Sequence, residues 1–96
     1  MELNEILKRK REKILSLGAK HGVVAIRIFG SVARGNTRPT SDIDFLVKIQ
    51  RGRSLFDLGG FCSDLEKLLG RPIDVVTEKG LRERIRSRVM RESIPL

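Results

Sequence analysis

The chain has 96 residues, which favours a single domain over residues 1–96 with one small core and no separate substrate domain. Apolar residues make up 40% and charged residues 33%, a balance typical of a folded protein rather than a disordered one. No apolar run approaches the roughly 18 residues of a membrane span, and no secretory signal pattern opens the sequence. The lone Cys62 excludes an internal disulfide, so these features together predict a cytoplasmic protein.

The formal net charge is +8. Such a surplus favours a polyanionic partner, either nucleotide, nucleic acid or an acidic protein, although it equally suits a soluble or heat-stable surface. All four aromatic residues are Phe, which gives little support to a stacking platform for single-stranded nucleic acid. Nucleic acid is therefore the less favoured partner.

The first half of the chain is predicted to form one helix and two strands. Apolar residues at helical spacing predict a helix over residues 2–19, with Gly18 as a stop signal. β-Branched and apolar residues predict a strand over residues 23–29. Loop-forming residues follow, with a short helical turn over residues 31–34, and a second strand is predicted over residues 42–49.

The second half of the chain alternates helix and strand. Ser54 is a suitable N-cap for a helix whose apolar face runs from Leu58 to Leu69 and which ends at Gly70. A third strand is predicted over residues 72–77 and a last helix over residues 81–90. Arg residues crowd that last helix, which suits a solvated surface and a partner-binding surface equally well.

One feature of the middle helix runs against helix propensity. Gly59 and Gly60 lie inside it, and each costs about 1 kcal/mol relative to Ala. The pair predicts either close packing against the sheet or a helix that begins later. With that exception, the order of elements predicts one α/β (α+β) layer, a small mixed β-sheet flanked by helices.

Acidic residues stand where apolar residues are expected. Asp42 and Asp44 open the second strand, and because side chains alternate along a strand, both carboxylates share a face about 7 Å apart. Asp is disfavoured in strands. Asp74 lies between apolar residues of the third predicted strand, so the three carboxylates predict a shared site if the two strands are neighbours. Clustered carboxylate oxygens select Mg²⁺ or Mn²⁺, and a pair of such ions supports phosphoryl transfer.

A glycine and a serine follow the first predicted strand. Gly30 permits close approach of the backbone to a ligand, and the N–H groups after Ser31 favour an anion. Arg34 and Arg38 are near enough in sequence to meet phosphate oxygens. By themselves, Gly30 and Ser31 are better explained by a tight turn with an ordinary N-cap, and they indicate a ligand site only because the Asp42–Asp44 pair follows at the start of the next strand.

The run Gly-Ser-Val-Ala-Arg-Gly at 30–35, followed by Ser-Asp-Ile-Asp-Phe-Leu-Val at 41–47, resembles the DNA polymerase beta nucleotidyltransferase superfamily. The chain is most similar to the small, stand-alone minimal nucleotidyltransferases of that superfamily. The resemblance extends over about residues 23–77, and the ending at 91–96 also resembles the tail of that subfamily. It implies the polymerase-beta-type nucleotidyltransferase core.

The resemblance implies a catalytic and metal-binding role for three carboxylates. Asp42 and Asp44 would ligate two Mg²⁺ ions, or Mn²⁺ in their place. Asp74 would complete the site of the ion that activates the acceptor hydroxyl, and could help take its proton. Attack would fall on the α-phosphorus of a nucleoside triphosphate, with ATP as the expected substrate, and pyrophosphate would leave.

The resemblance also implies a nucleotide-binding role for four residues. Gly30 and Ser31 would hold the triphosphate. Arg34 and Ser41 match the subfamily pattern at positions expected to contact the nucleotide.

The acceptor is implied by the resemblance and not by composition. Family members of this size often act as antitoxins that bind a HEPN-type toxin and attach AMP to its tyrosine, in a type VII-like toxin–antitoxin system. This chain contains no Tyr, so such a transfer must occur in trans. Two alternatives stay open: a binding module that neutralises its partner by contact through residues 82–91, and nucleotidyl transfer to RNA or a small molecule. The nucleotide base and a homo-oligomeric state also stay open.

Overall fold

A computed structural model describes residues 3–30, 33 and 42–96, with the backbone alone at Leu3 and Asn4. These residues form four helices and one four-stranded sheet with the strand order β3-β2-β1-β4. The architecture is α+β, a small mixed sheet flanked by helices, as the sequence predicts. In chain order the elements are α1 (Leu3–Arg9), α2 (Arg11–Lys20), β1 (Val23–Phe29), β2 (Ile43–Ile49), α3 (Leu55–Leu69), β3 (Ile73–Thr77), α4 (Glu83–Glu92) and β4 (Ile94–Pro95).

The strand β2 lies inside the sheet, and its two neighbours run in opposite directions. It pairs antiparallel with β1, where Asp44 stands opposite Phe29. It pairs parallel with β3, where Asp44 stands opposite Asp74. The amino ends of β2 and β3 and the carboxyl end of β1 therefore meet at one end of the sheet, which we call the carboxylate end.

The core covers one face of the sheet. Alternate residues of β2, Ile43, Phe45 and Val47, are fully buried there because the period of a strand is two. Phe61 of α3 and Ile14 of α2 are equally buried and belong to the same cluster. In the part of the chain that the structure describes, no helix is long and apolar enough to cross a membrane.

The helix α3 has a capping group at each end. The Ser54 hydroxyl accepts a hydrogen bond from the backbone N–H of Phe56, and the Asp57 carboxylate accepts one from the backbone N–H of Ser54 at 2.9 Å. This is a capping box, which satisfies N–H groups that a helix start leaves unpaired. Gly70 ends the helix in the left-handed conformation with φ of 68°. Both predicted boundary residues, Ser54 and Gly70, are confirmed.

The prediction of a single helix over residues 2–19 is wrong. The structure divides the described part of that segment into α1 and α2 at Lys10. Lys10 leaves helical geometry with φ of −98° and ψ of 7°. Its ammonium group donates a 2.9 Å hydrogen bond to the backbone carbonyl of Leu68 near the end of α3. A cation is favourable at a helix carboxyl end, so a contact distant in sequence holds the break.

The last predicted helix is shifted, and the strand after it was not predicted. The structure places α4 over Glu83–Glu92 rather than residues 81–90, and β4 occupies Ile94–Pro95. β4 is too short to show an alternating pattern. It depends on pairing with β1 and on the Arg27 guanidinium, whose Nε donates to the Ser93 hydroxyl at 2.6 Å and whose second amino group donates to the Ser93 carbonyl at 3.0 Å.

Gly59 and Gly60 do not pack against the sheet, and α3 does not begin late, so that prediction is wrong on both readings. A Cβ at Gly59 would meet nothing within 4 Å, whereas one at Gly60 would lie 2.7 Å from Cε1 of His21. The ring of His21 is held there by a 2.7 Å hydrogen bond to the Asp64 carboxylate and by Phe61, at 6.4 Å between ring centroids. Gly60 therefore provides space for the residue that ends α2.

We expect Gly59→Ala and Gly60→Ala to change stability in opposite directions. Ala at position 59 should stabilise the fold by about 0.5–1 kcal/mol because it favours the helix and meets open space. Ala at position 60 should destabilise it by about 1–3 kcal/mol because the new methyl group overlaps the His21 ring. Urea unfolding of the two variants measures both effects, and equal changes would contradict the assignment of the His21 contact.

The contact between His21 and Asp64 should make stability depend on acid pH. The hydrogen bond from His21 holds the pKa of Asp64 below its ordinary value of 3.8, and the nearby Lys20 adds to the effect. Because its carboxyl pKa is lower in the folded state, ionised Asp64 stabilises the fold above pH 3.8. This stabilisation is lost as the pH falls through the pKa that Asp64 has in the folded state. Asp64→Asn should therefore reduce the melting temperature at neutral pH, with the deficit narrowing below pH 3.8.

The exposed carboxylate of Glu12 on α2 offers a control for that measurement. Glu12→Gln should leave the melting temperature close to that of the unmodified protein at every pH tested. A deficit for Asp64→Asn that persists unchanged in acid would show that the ion pair is not its source.

Candidate active site

Two of the three predicted carboxylates stand side by side on neighbouring strands. Asp44 and Asp74 are direct register partners of the parallel pair β2–β3, and neighbouring strands lie about 4.8 Å apart. Asp42 directly precedes β2, two positions from Asp44. Asp42 and Asp74 are exposed and Asp44 is half-buried. The predicted shared site requires that β2 and β3 be neighbouring strands, and the structure shows that they are.

The same pairing explains how two acidic residues fit into apolar strands. Ile43 and Ile73 are partners in register, and both point into the core. Since side chains alternate, Asp44 and Asp74 point to the other face of the sheet. Like charges on adjacent strands repel, so this arrangement costs stability unless a cation or a hydrogen-bond donor compensates.

The side chains do not converge into a closed cluster. Among the described residues, no group of three or more His, Cys, Asp or Glu side chains is arranged to hold a metal ion. The donor set nevertheless fits Mg²⁺, which commonly takes only one or two protein carboxylates and completes its shell with water and substrate phosphate. Asp44 and Asp74 are the pair that the backbone register brings together.

Gly30 lies against the carboxylate of Asp44. Its φ is +73°, a conformation that L side chains rarely adopt, and an added Cβ would overlap Oδ2 of Asp44. Glycine is therefore required at this position by its backbone angle and by the close approach of the carboxylate. The predicted nucleotide-binding glycine and a predicted metal-binding aspartate thus meet in space.

Three predicted site residues lie outside the residues that the structure describes. They are Ser31, Arg34 and Ser41. Their roles stay predictions from the sequence.

Arg71 is a residue of this region that the sequence pattern did not single out. It lies between the end of α3 and the start of β3, at the carboxylate end of the sheet. One guanidinium nitrogen of Arg71 is buried and has no hydrogen-bond partner in the described part of the chain. Buried donors are usually paired, so Arg71 is a candidate to meet an anion at this end. Its position beside Pro72 was visible in the sequence, but its burial was not.

Two clefts lie away from the aspartates. One of about 340 Å³ is bordered by Leu7, Ile28 and Leu96. The other, of about 600 Å³, lies at the carboxyl ends of β2 and β3 and is bordered by Lys48 and Lys79 among others. Neither of these two clefts is lined by the predicted carboxylates.

Comparison of the sequence with known families and proteins gives concordant matches. The family described as "Nucleotidyltransferase domain" matches residues 2–96. A candidate protein adenylyltransferase of Methanocaldococcus jannaschii is 39% identical over 94 residues, which are 98% of this chain and 97% of that protein. The protein adenylyltransferase MntA of Thermococcus cleftensis is 33% identical over 93 residues, which are 97% of this chain and 91% of that protein.

Comparison with solved structures gives the same fold. A candidate minimal nucleotidyltransferase is 51% identical with a TM-score of 0.89, and the match covers 100% of this chain and 97% of that chain. A chain of a toxin–antitoxin crystal structure with AMP-PNP is 21% identical with a TM-score of 0.74, covering 88% of this chain and 69% of that chain. The second likeness shows a shared fold.

We expect Gly30→Ala to displace the Asp44 carboxylate and to destabilise the protein by about 1–2 kcal/mol or more, since it adds overlap to left-handed backbone strain. Gly70→Ala is the matched control, because Gly70 has a φ of 68° but a Cβ there would meet nothing within 4 Å. Urea unfolding measures the stability of each variant, and the carboxyl ¹³C shift of Asp44 reports displacement. If both variants leave that shift unchanged, the Gly30–Asp44 contact is refuted.

Proposed function

Because the chain belongs to the nucleotidyltransferase domain family, we propose that it transfers AMP from ATP to a hydroxyl group of a partner protein. The observation that carries the proposal is the register that puts Asp44 beside Asp74, with Gly30 against the Asp44 carboxylate. The protein adenylyltransferase names of the two relatives, at 39% and 33% identity over nearly whole chains, support the choice of AMP and of a protein acceptor.

The reaction is a substitution at the α-phosphorus of ATP. The acceptor oxygen forms a bond to that phosphorus, the bond to the bridging oxygen of the β-phosphate breaks, and pyrophosphate leaves with the electron pair. The acceptor loses its proton, and we propose the exposed Asp74 carboxylate as the group that receives it. Gly30, which lies against the Asp44 carboxylate, and Ser31 bind the triphosphate in this proposal.

Asp42, Asp44 and Asp74 would hold Mg²⁺, with two ions proposed and Mn²⁺ as a possible substitute. Bound there, the metal would neutralise phosphate charge and lower the pKa of the attacking hydroxyl. The carboxylates by themselves would repel a triphosphate, so nucleotide binding should require a divalent cation.

For the acceptor, we propose a tyrosine of a HEPN-type toxin, which would make this chain an antitoxin of the type VII-like class. The sequence resemblance supports this assignment, and the absence of Tyr from the chain requires that the acceptor belong to another protein. A contact-only antitoxin is the second candidate, because α4 carries many Arg residues and none of its residues is buried.

A transfer assay tests the proposal. The purified protein is incubated with ATP labelled at the α-phosphate, with Mg²⁺, and with the product of the adjacent reading frame. We expect label on the partner, and we expect Asp44→Asn and Asp74→Asn each to reduce it by at least about 100-fold, since each removes a charged metal ligand. Glu12→Gln, at an exposed carboxylate on α2, is the control and should retain full transfer.

The same variants separate catalysis from contact. If Asp44→Asn and Asp74→Asn remain folded, lose transfer and also lose neutralisation of the partner, neutralisation requires catalysis. Full neutralisation by folded variants that lack transfer would establish that the protein neutralises its partner by contact alone. If no partner protein is labelled in the presence of Mg²⁺, the transferase proposal is wrong.

A further inference from the structure

The helix α4 is amphipathic but covers little. None of its ten residues, all of which the structure describes, is buried. Arg84, Arg88 and Arg91 follow one another at helical spacing and are exposed, and we call these three residues the basic face of α4. Ile85 stays 40% exposed beside them. A surface helix normally buries an apolar stripe, so α4 offers both charge and apolar area to something outside the chain.

The direction of the chain places α4 over the face of the sheet that carries the carboxylates. β4 and β2 are both antiparallel to β1, and β3 is parallel to β2, so β3 and β4 run in the same direction. The segment β3-α4-β4 is therefore a crossover between parallel strands. The β2-α3-β3 crossover leads from the inside of the sheet to its β3 edge, and the β3-α4-β4 crossover leads in the opposite direction, to the β4 edge. Nearly all such crossovers are right-handed, which places α3 and α4 on opposite faces.

Two buried residues agree with this placement. Leu46 is 1% exposed, yet it alternates with the core residues Phe45 and Val47 and so lies on the same face as Asp44. Ser93, at the end of α4, is also buried, and it is bonded to Arg27 on that face. The burial of Leu46 shows that the face of the sheet opposite the core is also covered near its middle.

The end of α4 lies near the carboxylates. Ile94 pairs with Ile28, so Ser93 is level with Phe29, the partner of Asp44. Two strand spacings then separate Ser93 from Asp44, about 10 Å. The two hydrogen bonds from Arg27 to Ser93 fix this end of the helix. Of the basic face of α4, Arg91 is therefore nearest to the candidate active site, and Arg84 lies about 10 Å farther along the helix axis.

Building on the proposed function, we propose that the basic face of α4 docks an acidic segment of the acceptor protein and thereby places its hydroxyl beside Asp44 and Asp74. Arg guanidinium groups match carboxylates in geometry as well as charge. A net charge of +8 steers an acidic partner towards this chain and opposes self-association through the same surface.

The composition of α4 favours a protein over a nucleic acid as the molecule that docks on this helix. Ile85 provides apolar area that a phosphate backbone cannot complement. Glu83 and Glu92 flank the Arg residues and would repel phosphates, and Glu92 already pairs with Arg88 within the helix at 3.6 Å. The helix sequence contains no aromatic residue on which a base could stack.

The test uses a fluorescent glutamate–tyrosine copolymer, which combines carboxylates with acceptor hydroxyls, and compares it with a lysine–tyrosine copolymer and with single-stranded RNA. Anisotropy measures binding in the absence of ATP, and transfer of label from α-labelled ATP measures the reaction. The triple variant Arg84→Gln, Arg88→Gln and Arg91→Gln should weaken binding of the acidic copolymer about tenfold, because three exposed ion pairs are lost.

A matched control removes the same charge elsewhere. Lys48, Arg51 and Lys79 are exposed at the carboxyl ends of β2 and β3, the far end of the sheet from the carboxylates. Their triple change to Gln lowers the net charge equally and should weaken binding less than about threefold. Circular dichroism confirms that both triple variants are folded, and Gln keeps helix propensity in α4.

The outcomes are distinct. Equal weakening by the two triple variants would show a general charge effect and overturn the proposal, as would tighter, α4-dependent binding of RNA. Binding that depends on α4, with a matching rise in the KM for transfer and little change in kcat, supports it. Binding that depends on α4 without any transfer would support the docking surface while contradicting the transferase function.

Discussion

The fold and its candidate site both depend on the pairing of the central strand β2. Its odd-numbered residues from Ile43 to Val47 fill the core, which fixes the register because a slip by one residue would turn the apolar side chains to the other face. The same register leaves Asp44 on the opposite face, against Gly30 and beside Asp74. The hydrophobic free energy that pairs the strands thus also holds two repelling carboxylates together.

The candidate carboxylates lie at one end of the sheet, where the amino ends of β2 and β3 meet the carboxyl end of β1. One face of the sheet carries the core, to which α2 and α3 contribute Ile14 and Phe61, and Asp44 and Asp74 lie on the other face. Leu46 on that other face is also buried.

Long-range polar contacts set the positions of the helices around this sheet. Lys10 reaches the end of α3, His21 reaches Asp64, and Arg27 reaches Ser93. Each contact joins a residue near a helix end to an element distant in sequence. Such contacts are individually worth little at a surface. Their effect is to fix where helices begin and end, and for α4 the two hydrogen bonds from Arg27 fix the end of the helix at Ser93.

The sequence by itself predicted most of the elements and identified the acidic residues that are candidates for the site. Alternation in β2, the capping residues Ser54 and Gly70, and the acidic residues within apolar strands are local patterns, and each follows from the geometry of a single helix or strand. The family resemblance implied the roles of the three carboxylates in the reaction and those of the residues between β1 and β2.

Only the tertiary structure decided what depends on contacts between distant residues. The break at Lys10, the space that Gly60 provides for His21, the two-residue strand β4 and the burial of Arg71 leave no periodic signal in the sequence. The side-by-side placement of Asp44 and Asp74 belongs with them, because strand order and register arise from the packing of the whole sheet. Local patterns predict the type of each element and the face on which its side chains lie. Packing between distant elements decides which of those side chains come into contact.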